Sequence, residues 1–230
     1  MQLSTRLAAL ADAIGTNDTI LDIGCDHGIL EAALIERDQA HRVIAADISP
    51  ASLEKARRLA AEQSIEDRVE CRLGDGFSVV REDDAIDAAV IAGIGGFVIA
   101  RLLEEGKTQA QKIGRLILLP SCDAEALRGY LRKSGWACVR EELIEDAGRI
   151  YALIVVERGQ ERSPGGIYDK FGYFPVLCGD PLAKKLGKRH LHAMKKALAQ
   201  LEKEGGSQKR ARQIKQSMAK TKILLMTYFE

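Results

Sequence analysis

Apolar residues follow two different spacings along the first two thirds of the chain. Leu3, Leu7, Leu10 and Ile14 are spaced as on one face of a helix, and Gly15 ends that pattern. Short apolar runs typical of buried strands follow at 19–23, 42–47, 68–73, 85–91 and 115–119. Helical patterns lie between these runs, up to residue 37 and then at 50–63, 96–105 and 123–134. This alternation predicts a parallel sheet built from right-handed β-α-β units.

Two further strands, predicted at 136–143 and 150–157, break the alternation. The segment between them is too short for a helix, so the two strands are expected to form a hairpin. A hairpin that closes an otherwise parallel sheet is typical of class I methyltransferases and is normally absent from dinucleotide dehydrogenases. We therefore predict an α/β fold with a Rossmann-like class I methyltransferase sheet that ends in an antiparallel hairpin.

The C-terminal part of the chain predicts a helical appendage. Apolar residues step by three and four positions through 191–201 and again through 214–225, and a Gly-Gly-Ser break at 205–207 separates the stretches. Ser207 is a suitable N-cap for the second stretch, so the pattern predicts an antiparallel α-helical hairpin. The expected organisation is a methyltransferase domain at 1–158, a linker packed on that domain at 159–181, and a helical hairpin at 182–230.

Composition restricts the class of protein further. The 230 residues are 46% hydrophobic and 29% charged with a net charge of +1, which suits one α/β domain with a small appendage. No run reaches the roughly 18 apolar residues of a membrane span, and the N-terminus lacks the apolar core of a secretion signal. Five scattered cysteines and four histidines show no C-x-x-C or metal-ligand spacing, which predicts reduced, buried thiols and no metal site. We expect a cytoplasmic protein.

The first candidate ligand site is the turn after the first strand, Asp22-Ile23-Gly24-Cys25-Asp26-His27-Gly28. Its D-x-G-x-D-x-G pattern differs from the G-x-G-x-x-G of pyrophosphate-binding turns, and two aspartates would repel a pyrophosphate. S-adenosylmethionine is cationic and has no phosphate. Gly24 would let it approach the backbone, while Asp22 or Asp26 would accept hydrogen bonds from its ammonium group. The alternative is a tight turn that binds no ligand.

Acidic residues also follow the second and third strands. Asp47 lies about 20 positions beyond the glycine turn, where a carboxylate can accept hydrogen bonds from both ribose hydroxyls. Asp75, within Gly74-Asp75-Gly76, can accept from an adenine amino group. Because ligands of open α/β sheets bind outside the carboxyl ends of the strands, we predict cofactor contacts at Asp22, Gly24, Asp47, Ile48, Asp75, Gly76 and Gly93. A helix-capping Asp47 and a plain turn around Asp75 are the alternatives.

A glycine string, Gly93-Ile94-Gly95-Gly96, follows the fourth strand, and Pro120 follows the fifth. In this fold class the substrate meets the methyl group near the end of the fourth strand. A flat base can lie against bare backbone there, so we predict substrate contacts at Gly95, Gly96 and Pro120. The alternative is a turn that only begins the next helix.

These motifs resemble those of the bacterial tRNA (adenine-22, N1) methyltransferases, in order from Leu3 to the C-terminus. The resemblance rests on Asp22-x-Gly24-x-Asp26-His27, Leu73-Gly74-Asp75-Gly76, Ile91-Ala92-Gly93-Ile94-Gly95-Gly96, Leu127-Arg128, and Gly148 with Tyr151. The family's C-terminal α-helical hairpin also matches. Two positions depart from the family pattern: Ile29 replaces the usual aromatic residue after the Asp-His pair, and Leu119-Pro120-Ser121 replaces Gln-Pro-Asn.

The resemblance implies S-adenosylmethionine-dependent methylation of tRNA at N1 of adenine 22. N1 has an unprotonated lone pair at neutral pH, so in-line attack needs no strong base and most of the rate comes from positioning. A carboxylate that accepts from the exocyclic amine would stabilise the charge that develops on the purine. We therefore predict Asp26 as a catalytic residue, with His27 helping to shape the site.

Basic residues are concentrated near the C-terminus, with thirteen Lys or Arg against three Glu between 181 and 230, so the rest of the chain is acidic. Such asymmetry suggests a phosphate-binding arm, and we predict tRNA contacts at Lys195, Lys196, Arg210 and Arg212. A solvated helical face is the alternative. We expect a monomer that binds tRNA and binds neither a membrane nor a metal.

Three other functions remain open at the level of sequence. A methyltransferase of a small molecule or a protein would need no basic appendage. A catalytically silent RNA-binding module of the same fold would bind the cofactor without transferring a methyl group. A nicotinamide enzyme is opposed by the missing G-x-G-x-x-G pattern and by the predicted hairpin.

Overall fold

Two units, Met1–Arg162 and Ser163–Glu230, make up the chain in the computed structural model, which describes residues 3–229. The first unit contains, in order, α1 (Thr5–Ile14), β1 (Asn17–Ile23), α2 (Ile29–Glu36), β2 (Ala40–Asp47), α3 (Pro50–Glu62), β3 (Val69–Leu73), β4 (Ala88–Ala92), α4 (Gly96–Glu105), α5 (Lys107–Ala110), β5 (Arg115–Leu119), α6 (Ala124–Leu131), β6 (Trp136–Asp146) and β7 (Arg149–Arg158). A 3₁₀ turn at Gly76–Val79 follows β3. The second unit contains α7 (Ile167–Phe171), α8 (Tyr173–Leu177), α9 (Pro181–Lys203) and α10 (Gln208–Phe229).

The seven strands form one sheet in the order β3-β2-β1-β4-β5-β7-β6. The first five strands are parallel, whereas β7 runs antiparallel between β5 and β6. This arrangement confirms the predicted parallel sheet closed by a hairpin. Ala147 and Gly148, at φ of 49° and 75°, form a two-residue turn with both residues in the left-handed region, as tight hairpins require. Both hairpin strands are therefore longer than predicted.

Both faces of the sheet are covered, which explains the continuously apolar runs of the sequence. Ile20, Val43, Val90, Ile117 and Val155 share one core cluster with the buried side chains of α1, α2 and α3. The residues that follow each of them along the strand point to the opposite face and are also buried.

Local signals in the sequence define most element boundaries. Ser49 accepts a hydrogen bond from the Ser52 N–H at 3.3 Å, and Pro50 opens α3 as predicted. The predicted start of β4 at residue 85 is wrong, because the strand begins at Ala88. Asp87 is held in the preceding loop, where its carboxylate accepts hydrogen bonds from the backbone of Asp18 and Thr19.

The second unit contains the predicted pair of antiparallel helices, α9 and α10. A methyl group at Gly187 would lie 2.9 Å from a Leu225 carbon, so glycine lets the two helices approach closely. The segment 159–181, for which we expected a linker, contains α7 and α8 and begins α9. Its aromatic residues pack within the second unit: the Tyr168 and Tyr228 hydroxyls are 2.9 Å apart.

The five cysteines are free, as predicted, but they are not all buried. Cys25 is buried and Cys71 and Cys138 are half-buried, whereas Cys122 and Cys178 are exposed. The expectation of five buried thiols is therefore wrong at Cys122 and Cys178, and only partly met at Cys71 and Cys138. Within residues 3–229, no helix is long and apolar enough to cross a membrane.

Candidate active site

The carboxyl ends of β1, β2 and β3 are joined by hydrogen bonds at one edge of the sheet. The Asp47 carboxylate accepts from the N–H of Asp26 at 3.3 Å and of Ser49 at 2.8 Å. Its carbonyl accepts from the Gly74 N–H at 3.1 Å, next to Asp75. The structure thus brings together the three acidic strand ends that the sequence singled out.

A cleft of about 230 Å³ lies beside the β1–α2 turn. It is lined by Asp22, Gly24, Asp26 and His27 from the turn, by Gly93 from the end of β4, and by side chains of α1. The contribution of α1 was missed at the level of sequence, where this helix showed only an apolar face. Arg6 is its charged member: its guanidinium contacts Asp146 at 2.8 Å and lies 4.6 Å from the centre of the Tyr151 ring.

Three polar side chains form a chain of contacts at the mouth of this cleft. An Asp26 carboxylate oxygen lies 2.7 Å from Nδ1 of His27, and Nζ of Lys55 lies 3.0 Å from Nε2 of the same ring. A protonated Lys55 can only donate, so Nε2 accepts and Nδ1–H donates to Asp26. These contacts hold the His27 ring between the two charged side chains and orient the Asp26 carboxylate, which is 70% exposed.

Asp22, at the end of β1, differs from Asp26 in being buried, with only 4% of its surface exposed. Burial raises the pKa of Asp22 to about 7; a hydrogen bond with Glu31 opposes this rise and the charge of Asp47 adds to it. One aspartate of the turn is therefore a shielded carboxyl in the wall of the cleft, and the other is an exposed carboxylate at its mouth.

Glycine is required at the four site positions for different structural reasons. Gly24 and Gly93 have φ of 85° and 79°, and a methyl group on either would meet nothing within 4 Å. At Gly96 a methyl carbon would lie 2.4 Å from the carbonyl oxygen of Asp123, and at Gly76 it would lie 2.8 Å from Leu102. Gly24 and Gly93 therefore border open space, whereas packing against backbone accounts for Gly96, and a φ of 55° together with the nearby Leu102 accounts for Gly76.

The remaining predicted site residues are spread around the sheet edge. Ile48 is 70% exposed, and Asp75 is exposed with Arg101 at 3.4 Å from its carboxylate. Gly95 lies close to Cys122, and Pro120 is buried. Sequence reasoning missed Phe97, an aromatic residue 66% exposed directly after the glycine string, although its position in the sequence could have suggested it.

The four basic residues predicted to contact tRNA are all exposed on the helices of the second unit. Lys195 and Lys196 lie on α9, and Arg210 and Arg212 lie on α10. Arg212 also lines a shallow surface depression along α10.

A parallel sheet closed by a β7 hairpin, with an Asp-x-Gly turn after β1 and an Asp at the end of β2, defines a class I methyltransferase. The family model described as tRNA (adenine(22)-N(1))-methyltransferase matches residues 20–223. The chain therefore belongs to the tRNA (adenine(22)-N(1))-methyltransferase family, and its activity is methylation of tRNA at N1 of adenine 22.

Known proteins agree with this assignment. The tRNA (adenine(22)-N(1))-methyltransferase of Bacillus subtilis is 33% identical over 186 residues, which are 80% of this chain and 76% of that protein. The crystal structure of the B. subtilis m1A22 tRNA methyltransferase TrmK matches with a TM-score of 0.84 and 28% identity, covering 100% of this chain and 99% of that one. Streptococcus pneumoniae Sp1610, solved with S-adenosyl-L-methionine, matches with a TM-score of 0.88 and 28% identity, covering 97% of this chain and 100% of that one.

Proposed function

We propose that S-adenosylmethionine, the methyl donor, lies along the edge formed by β1, β2 and β3 with its methionine end in the cleft beside Asp22, and that adenine 22 of a tRNA enters at the mouth of that cleft beside Asp26. The observation that supports this division most directly is the contrast between the two aspartates of one turn. Asp22 is enclosed in the wall of the cleft, whereas Asp26 is exposed at its mouth. In this proposal the enclosed carboxyl of Asp22 meets the cofactor's ammonium group, and the exposed carboxylate of Asp26 meets the base.

The residues at the sheet edge fit the cofactor. Gly24 and Gly93 leave open space beside their backbone, Asp22 offers a carboxyl for an ammonium group, and Asp47 offers one for ribose hydroxyls. Exposed Ile48 supplies apolar surface for an adenine ring, and Asp75 with Gly76 follows at the next strand end. When bound, S-adenosylmethionine supplies a methyl group on a positively charged sulfur, which is open to attack by a lone pair.

Asp26 acts on the target base in this proposal. Adenine N1 already has a free lone pair, so the protein needs no strong base and contributes orientation and charge. The carboxylate accepts from the exocyclic amine and stabilises the positive charge that the base acquires. His27 holds Asp26 in one orientation through the 2.7 Å contact, and Lys55 holds His27.

Other side chains suit an extruded nucleotide. A base within folded tRNA must leave its stack before it can enter a cleft, at a cost of a few kcal/mol. Phe97, exposed beside Gly95 and Gly96, offers an aromatic face for stacking of the extruded base. Arg6 at the cleft offers a positive charge for the phosphate of that nucleotide.

The basic second unit contacts the tRNA backbone. Lys195, Lys196, Arg210 and Arg212 are exposed there and suit phosphate contacts rather than reading of bases. A tRNA substrate places the protein in the cytoplasm. The chain acts as a monomer that carries both the cleft and the basic helices, with the domain at 1–158 for catalysis and the helical hairpin at 182–230 for tRNA.

The full chain should be incubated with isotope-labelled S-adenosylmethionine and unmodified bacterial tRNA, and the product nucleosides mapped by mass spectrometry. We expect 1-methyladenosine at position 22. A matched tRNA with guanine at position 22 serves as the control and should remain unlabelled. Equal labelling of both tRNAs, or labelling at another atom of adenine, would contradict the proposal.

A further inference from the structure

Glu31, in the first turn of α2, is a buried carboxyl to which neither the fold nor the proposed reaction assigns a role. Only 1% of its surface is exposed. Among residues 3–229, neither of its carboxyl oxygens has an N–H or O–H donor in hydrogen-bonding geometry. A buried carboxylate without a donor is strongly unfavourable, so this group requires an explanation.

The neighbour that explains Glu31 is Asp22. The two carboxyl groups are in hydrogen-bonding contact, and such a contact requires one of them to carry a proton. Burial first, and then the charge of Asp22, raise the pKa of Glu31 well above its ordinary range. The same contact lowers the pKa of Asp22 relative to burial alone. In the described part of the chain Glu31 is enclosed with no other partner for its carboxyl oxygens, whereas Asp22 lines the cleft, so we place the proton on Glu31, which donates to Asp22.

The remaining groups around the pair favour the same assignment. Asp26 and Asp47 add negative charge, which opposes a second ionised carboxyl. The thiols of Cys25 and Cys71 have raised pKa values, chiefly through burial, and stay neutral. The backbone N–H of Glu31 itself is the one group that favours its ionisation, and it makes no hydrogen bond of good geometry.

We propose that Glu31 is a positioning residue of the cofactor site: as the neutral acid it donates to Asp22, which orients that carboxyl for the cofactor's ammonium group and favours its ionised form. Asp22 lines the cleft, whereas Glu31 is enclosed behind it. The inference rests on the proposed role of Asp22 in cofactor binding. When Asp22 is ionised, the pair carries one negative charge, which matches the single positive charge of an ammonium group.

The first test uses the unliganded full chain. The carboxyl carbons of Asp22 and Glu31 should be followed by NMR between pH 5 and 9 in the wild-type protein. We expect the Glu31 carboxyl to stay protonated past pH 7 while Asp22 titrates near neutrality. In Glu31→Leu, which keeps the volume but removes the donor, the Asp22 titration should move to higher pH. A Glu31 carboxyl that titrates near pH 4.5 would overturn the proposal.

The second test measures binding of S-adenosylhomocysteine by calorimetry. Glu31→Leu should weaken binding about tenfold at pH 7, the effect of losing one hydrogen bond to a charged group, and raising the pH to 8.5 should restore most of it. Glu31→Gln still donates and should bind within about threefold of wild type. If both variants bind S-adenosylhomocysteine equally weakly and binding does not recover at high pH, Glu31 contributes only packing and the proposal is wrong. Unchanged binding in Asp22→Asn would instead remove the proposed role of Asp22, while the NMR result would still decide whether the pair shares a proton.

Discussion

At the scale of single residues, the Asp47 carboxylate has a structural role and a proposed role in cofactor binding. Its carboxylate holds the β1–α2 turn through the Asp26 N–H and is the proposed acceptor for ribose hydroxyls. Asp47→Ala should weaken S-adenosylhomocysteine binding by about 1–3 kcal/mol, or roughly 5- to 150-fold, because polar partners are left unpaired. Calorimetry measures this change.

A matched control exists at the opposite edge of the sheet, in the loop before β4. The Asp87 carboxylate also accepts two backbone hydrogen bonds, from Asp18 at 3.0 Å and from Thr19 at 2.9 Å, but far from the cleft. Asp87→Ala should cost stability and leave cofactor affinity within about twofold. Unchanged affinity in Asp47→Ala would show that its carboxylate does not bind the cofactor.

The exposed Asp26 should matter for turnover rather than for cofactor binding. Asp26→Asn keeps the size of the side chain and removes its charge, so kcat should fall by roughly 100- to 1,000-fold, as on removal of one preorganised electrostatic group. The KM for the cofactor should change little. Lys55→Met, which removes only the outermost member of the contact chain, should cost less than Asp26→Asn. Weak cofactor binding with near-normal turnover in Asp26→Asn would instead assign Asp26 to the cofactor.

At the scale of elements, the glycine string after β4 contains two glycines that can be told apart experimentally. Gly96→Ala places a methyl carbon 2.4 Å from the Asp123 carbonyl oxygen, so it should lower the free energy of unfolding by about 1–3 kcal/mol. In Gly93→Ala the added methyl group meets open space, so only the strain of a φ of 79° lowers the free energy of unfolding, by about 1 kcal/mol. Its main effect should be weaker cofactor binding. Urea unfolding and calorimetry together test this pair, and the reverse pattern would contradict it.

A second element, the sheet edge at β3, depends on a buried ion network. Arg72 donates to Glu70 and to Asp84, and the Arg72 and Asp84 side chains are 5% and 4% exposed. Arg72→Met should lower the free energy of unfolding by about 3–5 kcal/mol, because Asp84 is left as an uncompensated buried charge. Arg42→Met, which removes a more exposed partner of Glu70, should cost at most about 1 kcal/mol in the same urea experiment.

The pH dependence of this network follows from lowered pKa values. Hydrogen bonds with Arg72 lower the pKa of Glu70 to about 2 and lower that of Asp84. A carboxyl with a lowered pKa stabilises the fold above its ordinary range near pH 4 and loses that contribution as the pH falls toward 2. The difference in stability between wild type and Arg72→Met should therefore shrink below pH 4, and a constant difference would contradict this origin.

The sequence predicted the elements better than it predicted the walls of the cleft. Asp22, Asp47 and Asp75 could be found because strand ends of a parallel sheet meet at one edge, so their order along the chain was sufficient. Arg6 could not be found, since its position depends on Asp146, 140 residues away. The role of Glu31 could not be predicted, because its position in the α2 sequence does not differ from that of a surface glutamate. Only its contact with Asp22 in the folded chain distinguishes it.

At the scale of the whole molecule, charge is divided along the chain. Residues 181–230 contain thirteen Lys or Arg against three Glu, which leaves 21 basic and 30 acidic residues before them. An acidic catalytic part repels RNA in general, so affinity should depend on the basic helices. Binding of tRNA should therefore weaken steeply with salt, through release of counterions.

This dependence can be measured on the full chain. Alanine at Lys195, Lys196, Arg210 and Arg212 together should reduce the slope of log affinity against log salt by about 3, at roughly 0.7–0.9 per phosphate contact. Cofactor binding should not change. Alanine at Lys107 and Lys112, which belong to the first unit, is the control and should leave the slope near its wild-type value. A wild-type slope in the fourfold variant would assign the helices another role, such as dimerisation.

The contact between Arg6 and the hairpin also determines when the enzyme can mature during its own synthesis. Ribosomes add about 5–20 residues per second, so the 140 positions between Arg6 and Asp146 take roughly 7–28 s to translate. By the end of that interval β1 to β5 have been synthesised, but β7, which pairs with β5, follows Asp146 and has not yet been made. Until β7 is made, β5 presents an unpaired edge, which favours aggregation, and the wall of the cleft that contains Arg6 is completed only with the last strands.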